Sequence, residues 1–345
     1  RTLDEVPATV RLHPMILPRS GRGYLLGPRE LRRLAGIISE YDLVHLHSMW
    51  MTSNPQIARL CARAGKPYVL SPHGMLDDWC MAQRRLKKRV YLATWARRLI
   101  PDAARVHCTA QAELAQAEAW TGPGRGVVIP LPIDLAPYRD APGPAPAFDA
   151  FPDLDRAVPI VLFLSRLHYK KGPDRLIRAS AALHRRGVAH QLVLAGAGHP
   201  RYEASLRELA ERCGVAGHTR FLGFVTGREK VALYQAATVF ALPTSQENFG
   251  FVYFESLAAG TPVVMTRGVD TWPELLESGA GFLCENEPDA IAAELEHLLA
   301  DPAALGRAGA GARERVLASC DRGRVAAAYH RMYGEVLAGA GGAGA

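Results

Sequence analysis

The chain has 345 residues, 48% of them hydrophobic, and its 41 Lys and Arg residues exceed its 34 Asp and Glu residues by seven. No run approaches the ~20 consecutive apolar residues of a membrane-spanning helix, and none of the six cysteines forms a CxxC pair. This length suits two domains, scattered cysteines fit a reducing cytoplasm, and the small basic excess suits an anionic ligand or membrane surface without requiring nucleic acid.

The first part of the chain alternates short apolar runs with segments of helical periodicity. The apolar runs predict strands within residues 6–15 and at 43–47, 68–71, 105–109 and 127–130. Strands separated by helices indicate a parallel sheet covered by helices. Ligands of such sheets lie beyond the carboxyl ends of the strands, which is where His47 and His73 fall. A histidine at a strand end can equally be structural, and His73, next to a glycine, is the better functional candidate.

A stretch rich in Pro, Gly and Ala, APGPAPA at 141–147, is the clearest break in composition. After this break the alternation of strands and helices restarts, which indicates a second α/β domain. The predicted boundaries are 1–140 for the first domain, 141–157 for the linker, 158–320 for the second domain, 321–337 for a C-terminal helix, and 338–345 for a low-complexity tail expected to be disordered.

The stretch TSQENFGFVYFESLAAG at 244–260 lies between two apolar strands and carries two carboxylates, Glu247 and Glu255. Residues 248–250 make a poor first helical turn, so Glu247 is expected on a loop and Glu255 on a helix that begins near Phe251. Free N–H groups at a helix start favour an anion, and a loop carboxylate accepts hydrogen bonds from sugar hydroxyls. The pattern predicts a site for a sugar phosphate, although two solvated glutamates beside an amphipathic helix would give the same spacing.

Two cations, Arg166 and Lys171, follow the first strand of the second domain in the stretch SRLHYKKGP. They can hold two oxygens of a diphosphate. Taken alone they could also form a solvated basic loop, but they share a sheet end with Glu247, which favours a ligand. The glycines of 196–198 (GAG) permit close approach of a nucleotide or merely form a turn. We identify no cluster of Asp or His residues with metal-ligand spacing at this sheet end, so we predict that no metal is used.

The segments SRLHYKKG, LAGAG, FLGFV and ENFGFVYFESLAAGTPVV together resemble the retaining, nucleotide-sugar-dependent glycosyltransferases of family four. The resemblance implies the GT-B architecture, an α/β fold in which two Rossmann-like domains face each other across a cleft. It implies transfer of a hexose from a nucleotide-diphosphate sugar to a saccharide or lipid-linked saccharide acceptor, with the leaving phosphate as base and no cofactor. The stretch SPHGML and the basic run after it resemble members that build bacterial surface polysaccharides, whereas Leu131-Pro132 departs from the usual Asn-Gly.

The resemblance also implies roles for individual residues at matching positions. His73 and Glu247 would be catalytic, with His73 facing the reacting sugar. The diphosphate would be held by Arg166, Lys171, Gly250 and Phe251, the donor sugar by Glu247, Asn248 and Phe249, and the ribose by Glu255, with His47 and Trp79 on the acceptor side.

Residues 83–100 form a basic, partly apolar segment in which Val90, Tyr91, Trp95 and Leu99 could line one helical face. Such a helix can lie on anionic lipid, or it can be a solvated surface helix. We therefore expect a cytoplasmic enzyme, either working peripherally at the inner face of the membrane or free of it.

Two rival functions fit much of the same pattern. A nucleotide-sugar epimerase or hydrolase of this architecture would turn over donor without an acceptor, and a non-catalytic sugar-nucleotide-binding subunit would not turn it over at all. The sequence begins at Arg1 and offers one predicted strand before Leu43, where the resembled family has three. We therefore expect the first domain to be incomplete at its N-terminus.

Overall fold

A computed structural model describes His13 and residues 25–342 of the protein. The strand predicted within 6–15 lies outside this part of the chain except for His13, which is not in a strand. None of the helices in the described part is long and apolar enough to span a membrane.

The first domain is built on a parallel sheet with the strands in sequence order. Its strands are β1 (Val44–His47), β2 (Tyr68–Ser71), β3 (Arg105–Cys108) and β4 (Gly126–Val128). Each of the apolar runs predicted at 43–47, 68–71, 105–109 and 127–130 forms one strand, because buried parallel strands need side chains that can pack on both faces. Around the sheet lie α1 (Pro28–Ser39), α2 (Asn54–Arg63), α3 (Asp78–Ala82), α4 (Arg85–Ala93) and α5 (Gln111–Thr121).

The second domain contains a larger parallel sheet with the strand order β10-β9-β8-β5-β6-β7. Its strands are β5 (Ile160–Leu164), β6 (Gln191–Ala195), β7 (Thr219–Gly223), β8 (Val239–Ala241), β9 (Val263–Thr266) and β10 (Gly281–Cys284). The order reverses between β5 and β8, which are neighbours in space. The carboxyl ends of the strands at such a reversal border a crevice, the usual binding position of doubly wound sheets.

The helices of the second half follow the strands in alternation. They are α6 (Ala136–Arg139), α7 (Ala145–Ala150), α8 (Pro173–Arg185), α9 (Pro200–Arg212), α10 (Gly227–Ala236), α11 (Phe251–Ala258), α12 (Trp272–Glu277), α13 (Pro288–Leu299), α14 (Pro302–Ser319) and α15 (Arg322–Gly342). One continuous core joins the sheet to these helices as far as α14. The last helix, α15, packs instead on the first domain, where Val325 and Met332 contact Val69 and Ile129.

The structure changes the predicted boundary between the domains. Ile133, Leu135 and Tyr138 are buried in the core of the second domain, and α7 contributes Ala147 to the same core. The Pro-rich segment is therefore packed rather than extended, because proline at the start of a helix fits its geometry. The tail was also predicted wrongly in part, since α15 continues through Gly342.

The basic segment 83–100 is not one amphipathic helix. The helix α4 ends at Ala93, and the following residues form turns. The Trp95 indole donates to the carbonyl of Thr52 at 3.0 Å, and Leu99 is buried in the core of the first domain. The predicted apolar face is thus wrong for Trp95 and Leu99, which serve the fold.

Candidate active site

A glycine lets the loop after β5 approach the end of β8. Gly172 has φ +74°, and a Cβ there would lie 2.3 Å from the carbonyl oxygen of Pro243. This close approach is possible only without a side chain. It brings Lys171, just before the glycine, against the loop that follows β8.

The centre of the site is an ion pair between Lys171 and Glu247. Lys171 is only 7% exposed, and its burial, together with the nearby charges of Lys170 and Arg166, lowers its pKa to about 8. The backbone of Glu247 is fixed on both sides, since its N–H donates to Gly268 at 2.7 Å and its carbonyl accepts from Asp270 at 2.9 Å. Glu247 therefore lies on a loop, as predicted, and that loop is rigidly held.

The helix α11 begins at Phe251, as the sequence predicts, after Gly250 at φ +70°. Its first N–H groups have no partners within the helix and are available to an anion. Two neighbouring side chains are used elsewhere. Asn248 bonds Asp270 at 3.2 Å, and the ring of Phe249 stacks on Phe254. Of the residues assigned to the donor sugar by resemblance, Phe249 therefore has a buried ring, and Asn248 has one amide N–H bonded to Asp270.

Glu255 lies on α11 and is held by two side chains of α10. Lys230 Nζ donates to its carboxylate at 2.8 Å, and the Tyr234 hydroxyl donates at 3.3 Å. The carboxylate is thus held in a fixed orientation on the same wall of the cleft as Glu247.

Arg166 is exposed at the end of β5 and lines a cavity of about 260 Å³ with Phe224 and Gly196. A Cβ at Gly196 would lie 1.9 Å from the carbonyl oxygen of Ser165, and one at Gly198 would lie 2.1 Å from that of Leu167. The glycines predicted as a turn or a nucleotide contact are thus required by packing between the ends of two strands, and Gly196 borders a cavity as well.

The first domain places His47 and His73 together at the carboxyl ends of β1 and β2. His47 Nδ1 and His73 Nε2 are 2.8 Å apart, within hydrogen-bond distance, and the two rings are stacked. Burial lowers the pKa of both. The backbone at His73 has φ +55°, which is costly for a residue with a side chain. Glu113 fixes the loop by accepting from the N–H of Gly74 at 2.6 Å.

Two further histidines, missed from the sequence, extend this cluster. His107 Nε2 lies 2.8 Å from the carbonyl oxygen of Ile129, which can only accept, so Nε2 carries the proton. His107 Nδ1 then accepts from Ser71, and Ser71 accepts from His45 Nε2, both at 2.7 Å. His45 shares a strand face with His47, a spacing visible in the sequence LVHLH. Burial, then its histidine neighbours, lowers the pKa of His45 to about 3.

The loop that carries Glu247 also joins the two domains. Gln246 donates to Asp77 of the first domain at 2.7 Å and accepts from Lys170. The ammonium of Lys170 lies 4.7 Å from the ring centre of Trp79, a cation–π contact across the cleft. Trp79, assigned to the acceptor side by resemblance, is thus within reach of the donor-side loop.

Asp270 is a second carboxylate between the domains that the sequence did not reveal. It is 4% exposed, accepts from Asn248 at 3.2 Å, and accepts from Gln116 of the first domain at 3.1 Å. Burial raises its pKa to about 7. Both of its oxygens are occupied by amides, so Asp270 links the domains rather than presenting a free nucleophile.

Family models match both halves of the chain. The model described as "Glycosyl transferases group 1" matches residues 147–315, and the one described as "Glycosyl transferase 4-like domain" matches residues 1–132. The match to the second half contains the loop of Glu247 and the cations of Arg166 and Lys171.

Curated relatives and solved structures show the same likeness. A D-inositol 3-phosphate glycosyltransferase of Mycolicibacterium gilvum is 32% identical over 78% of this chain and 61% of its own. A GDP-mannose-dependent alpha-(1-6)-phosphatidylinositol monomannoside mannosyltransferase of Mycolicibacterium smegmatis is 31% identical over 82% of this chain and 75% of its own. The structure of HepE from Anabaena in complex with UDP superimposes with a TM-score of 0.73, covering 89% of this chain and 82% of that one at 22% identity. The chain spans only about three fifths of the first two curated relatives.

Proposed function

The chain belongs to the group 1 glycosyl transferases and has the GT-B fold, and from that premise we propose that it transfers a hexose from a nucleotide-diphosphate sugar to a saccharide or lipid-linked saccharide acceptor, with retention of configuration. The observation that carries the proposal is the ion pair of the buried Lys171 with the half-buried Glu247, beside the free start of α11. A cation for phosphate and a carboxylate for sugar hydroxyls stand next to each other at the crevice of the second domain.

The donor diphosphate binds to Arg166, Lys171 and the N–H groups of Gly250 and Phe251. When Lys171 contacts a phosphate oxygen, the Glu247 oxygen that was paired with it becomes available. That oxygen can then accept hydrogen bonds from the donor sugar. Positive charge held in place before the reaction stabilises the diphosphate as it leaves, which is commonly the largest electrostatic contribution to catalysis. Glu255 accepts hydrogen bonds from the ribose hydroxyls, and the nucleobase of the donor lies toward the cavity beside Phe224.

Retention follows from attack on the same face from which the diphosphate leaves, with a phosphate oxygen taking the proton of the acceptor hydroxyl. His73 lies on the opposite wall and positions the reacting sugar. This scheme needs no protein nucleophile, and it agrees with the occupied state of Asp270. Since the scheme neutralises the diphosphate with side chains and backbone, we expect turnover to persist in EDTA.

The enzyme works at an anionic membrane surface through the exposed cations and apolar side chains of α4. Such binding weakens with salt, because exposed charges are screened within about 8 Å at physiological ionic strength. Vesicles containing phosphatidylglycerol should retain the protein at low salt and release it at high salt.

A panel of nucleotides and nucleotide sugars tests the donor site by thermal shift. The panel includes UDP and GDP forms, because a solved neighbour holds UDP and a relative is named for GDP-mannose. A cognate donor at 100 times its Kd should stabilise the protein by about 2.7 kcal/mol. Product analysis by NMR then checks the anomeric configuration. Stabilisation by no member of the panel, or turnover of donor that never requires an acceptor, would contradict the proposal.

A further inference from the structure

The helix α4 is attached to the first domain along only part of its surface. None of its residues is fully buried. Lys88 fastens it, since its ammonium bonds Cys80 and lies 4.9 Å from the ring centre of Trp50, and Tyr91 and Leu92 pack beside the core. The remaining side chains of the helix are free to meet something outside the fold.

A cavity of about 430 Å³ lies between α3, α4 and the end of α5. Its volume is in the range of small-molecule sites. Two guanidinium groups of α4, Arg85 and Arg89, line it together with the ring of Trp120, and neither arginine has an ion pair within the described residues. Since residues four apart lie on one helix face, the two cations can grip the same anion.

Next to this cationic face, α4 presents an apolar one. Leu86 is 78% exposed and Val90 is 53% exposed, and each follows one of the two arginines in sequence, about 100° further around the helix. One side of the helix therefore offers cations to a cavity, while the adjoining side offers hydrocarbon to the exterior. The pair of faces suits an amphiphile that joins a phosphate to an apolar chain.

The cavity is linked to the cleft through α3. Asp78 lines the cavity, and its N–H donates to Gln116 at 3.0 Å. The same Gln116 donates to Asp270 in the cleft. The neighbouring Asp77 and Trp79 contact the donor-side loop. A molecule held in this cavity thus lies one short helix away from the reacting groups.

We propose that this cavity binds the phosphate of a lipid-borne acceptor. The phosphate oxygens lie against Arg85 and Arg89, the apolar chain runs along Leu86 and Val90 into the bilayer, and Asp78 accepts from hydroxyls of the adjoining sugar, which extends toward the cleft. Arginine suits this role because its planar group can pair with phosphate through two hydrogen bonds. The assignment of this ligand as acceptor rests on the proposed function, whereas the binding of a lipid phosphate does not.

The test measures binding of farnesyl phosphate by calorimetry, with no donor present. The double variant R85Q/R89Q should lose about tenfold or more in affinity, the loss expected when a charge-assisted hydrogen bond is removed. The matched variant R84Q/K87Q removes the same charge from the same segment but changes no residue that lines the cavity, and its affinity should stay within about twofold of the parent because screened surface charges contribute little. K171A, which alters the donor site, should leave this affinity unchanged.

Two controls separate the cavity from other sources of phosphate binding. Inorganic phosphate should bind much more weakly than farnesyl phosphate, because it lacks the chain. Binding to vesicles that contain phosphatidylglycerol should weaken equally in both double variants, since nonspecific attraction to an anionic surface depends only on the charge removed. The proposal is overturned by no measurable binding of farnesyl phosphate to the parent protein, by equal losses in the two double variants, or by loss in K171A. Because no turnover is measured, failure of the glycosyltransferase assignment would leave these results interpretable.

Discussion

The two walls of the cleft hold their polar groups in opposite states. The wall of the second domain is charged, with the exposed Arg166 and the ion pairs Lys171–Glu247 and Lys230–Glu255. The wall of the first domain contains a cluster of histidines, and burial lowers the pKa of every one of them. At neutral pH one wall therefore presents ion pairs, whereas the histidines of the other wall are polar but uncharged.

This difference matches the two chemical requirements of group transfer, one for the leaving group and one for the acceptor. The part of the donor that gains negative charge needs cations that are already in place. An acceptor hydroxyl needs hydrogen-bond partners that neither repel the diphosphate nor attract it away from its site. The loop of Glu247 connects the two walls, because Gln246 reaches Asp77 while Glu247 itself faces Lys171.

The change Glu247→Gln should have the largest effect, because it removes the negative charge from the position proposed to contact the donor sugar. We expect kcat to fall by about 10²–10³-fold, the size seen when one fixed group that stabilises a transition state is lost. Nucleoside diphosphate affinity should hold, since the bound diphosphate replaces Glu247 as the anionic partner of Lys171 and favours its charged form. The exposed Glu229 provides the matched control, and Glu229→Gln should leave kcat unchanged. A comparable loss of diphosphate affinity in Glu247→Gln would mean that Glu247 and Lys171 do not have separate roles in binding the sugar and the diphosphate.

The change Glu255→Gln should weaken binding of the nucleoside diphosphate by about 1.5–3 kcal/mol, the value of a hydrogen bond to a charged group. The reason is loss of the charged acceptor proposed for the ribose, while Lys230 loses its ionic partner. Calorimetry with the nucleoside diphosphate and with inorganic diphosphate separates the two contributions. If both ligands weaken equally, Glu255 acts through general charge and does not contact the ribose.

The pH dependence of diphosphate binding should report on the charged wall of the second domain and not on the histidines of the first. Burial lowers the pKa of Lys171 to about 8, so its proton is present below that pH and is lost above it. Affinity of the free protein should therefore fall by about tenfold above pH 8, as one charge-assisted hydrogen bond is lost. In Lys171→Arg the guanidinium stays charged, and its affinity should remain flat over the same range. An unchanged affinity of the parent protein at high pH would show that Lys171 does not hold the diphosphate.

The sequence predicted best what local residues determine. The strand 68–71 was placed with both of its ends correct, and the start of α11 followed from Gly250 and the poor helix formers before it. Long-range contacts were not predictable in the same way. The spacing favours Trp95 on one face of a helix, lipid-facing or solvated, but a carbonyl 43 residues away accepts from its indole N–H.

The histidines of the first domain show most clearly that the sequence does not reveal long-range partners. The alternation in LVHLH places His45 and His47 on one face of a strand, yet nothing local indicates that His45 pairs with Tyr333, 288 residues later. Likewise, the resemblance assigns Asn248 to the donor sugar, and the sequence does not reveal that its amide donates to Asp270, 22 residues later. Tertiary partners, which no spacing reveals, decide where such side chains point.

The change Tyr333→Phe should have the smallest effect and should act only on the histidine cluster of the first domain. The proton on His107 Nε2 fixes the direction of every hydrogen bond back through Ser71, so His45 Nδ1 is left to accept from the Tyr333 hydroxyl, 2.7 Å away. Removing that hydroxyl leaves one acceptor of a partly buried ring without its donor, which should cost about 1 kcal/mol of unfolding free energy. Denaturant unfolding measures this loss, and nucleotide binding to the second domain should be unaffected. Ser71→Ala, which breaks the network at its centre, should cost more, because it deprives two ring nitrogens at once. Equal stability of Tyr333→Phe and the parent would show that α15 is held on the first domain by Val325 and Met332 without help from the histidine network.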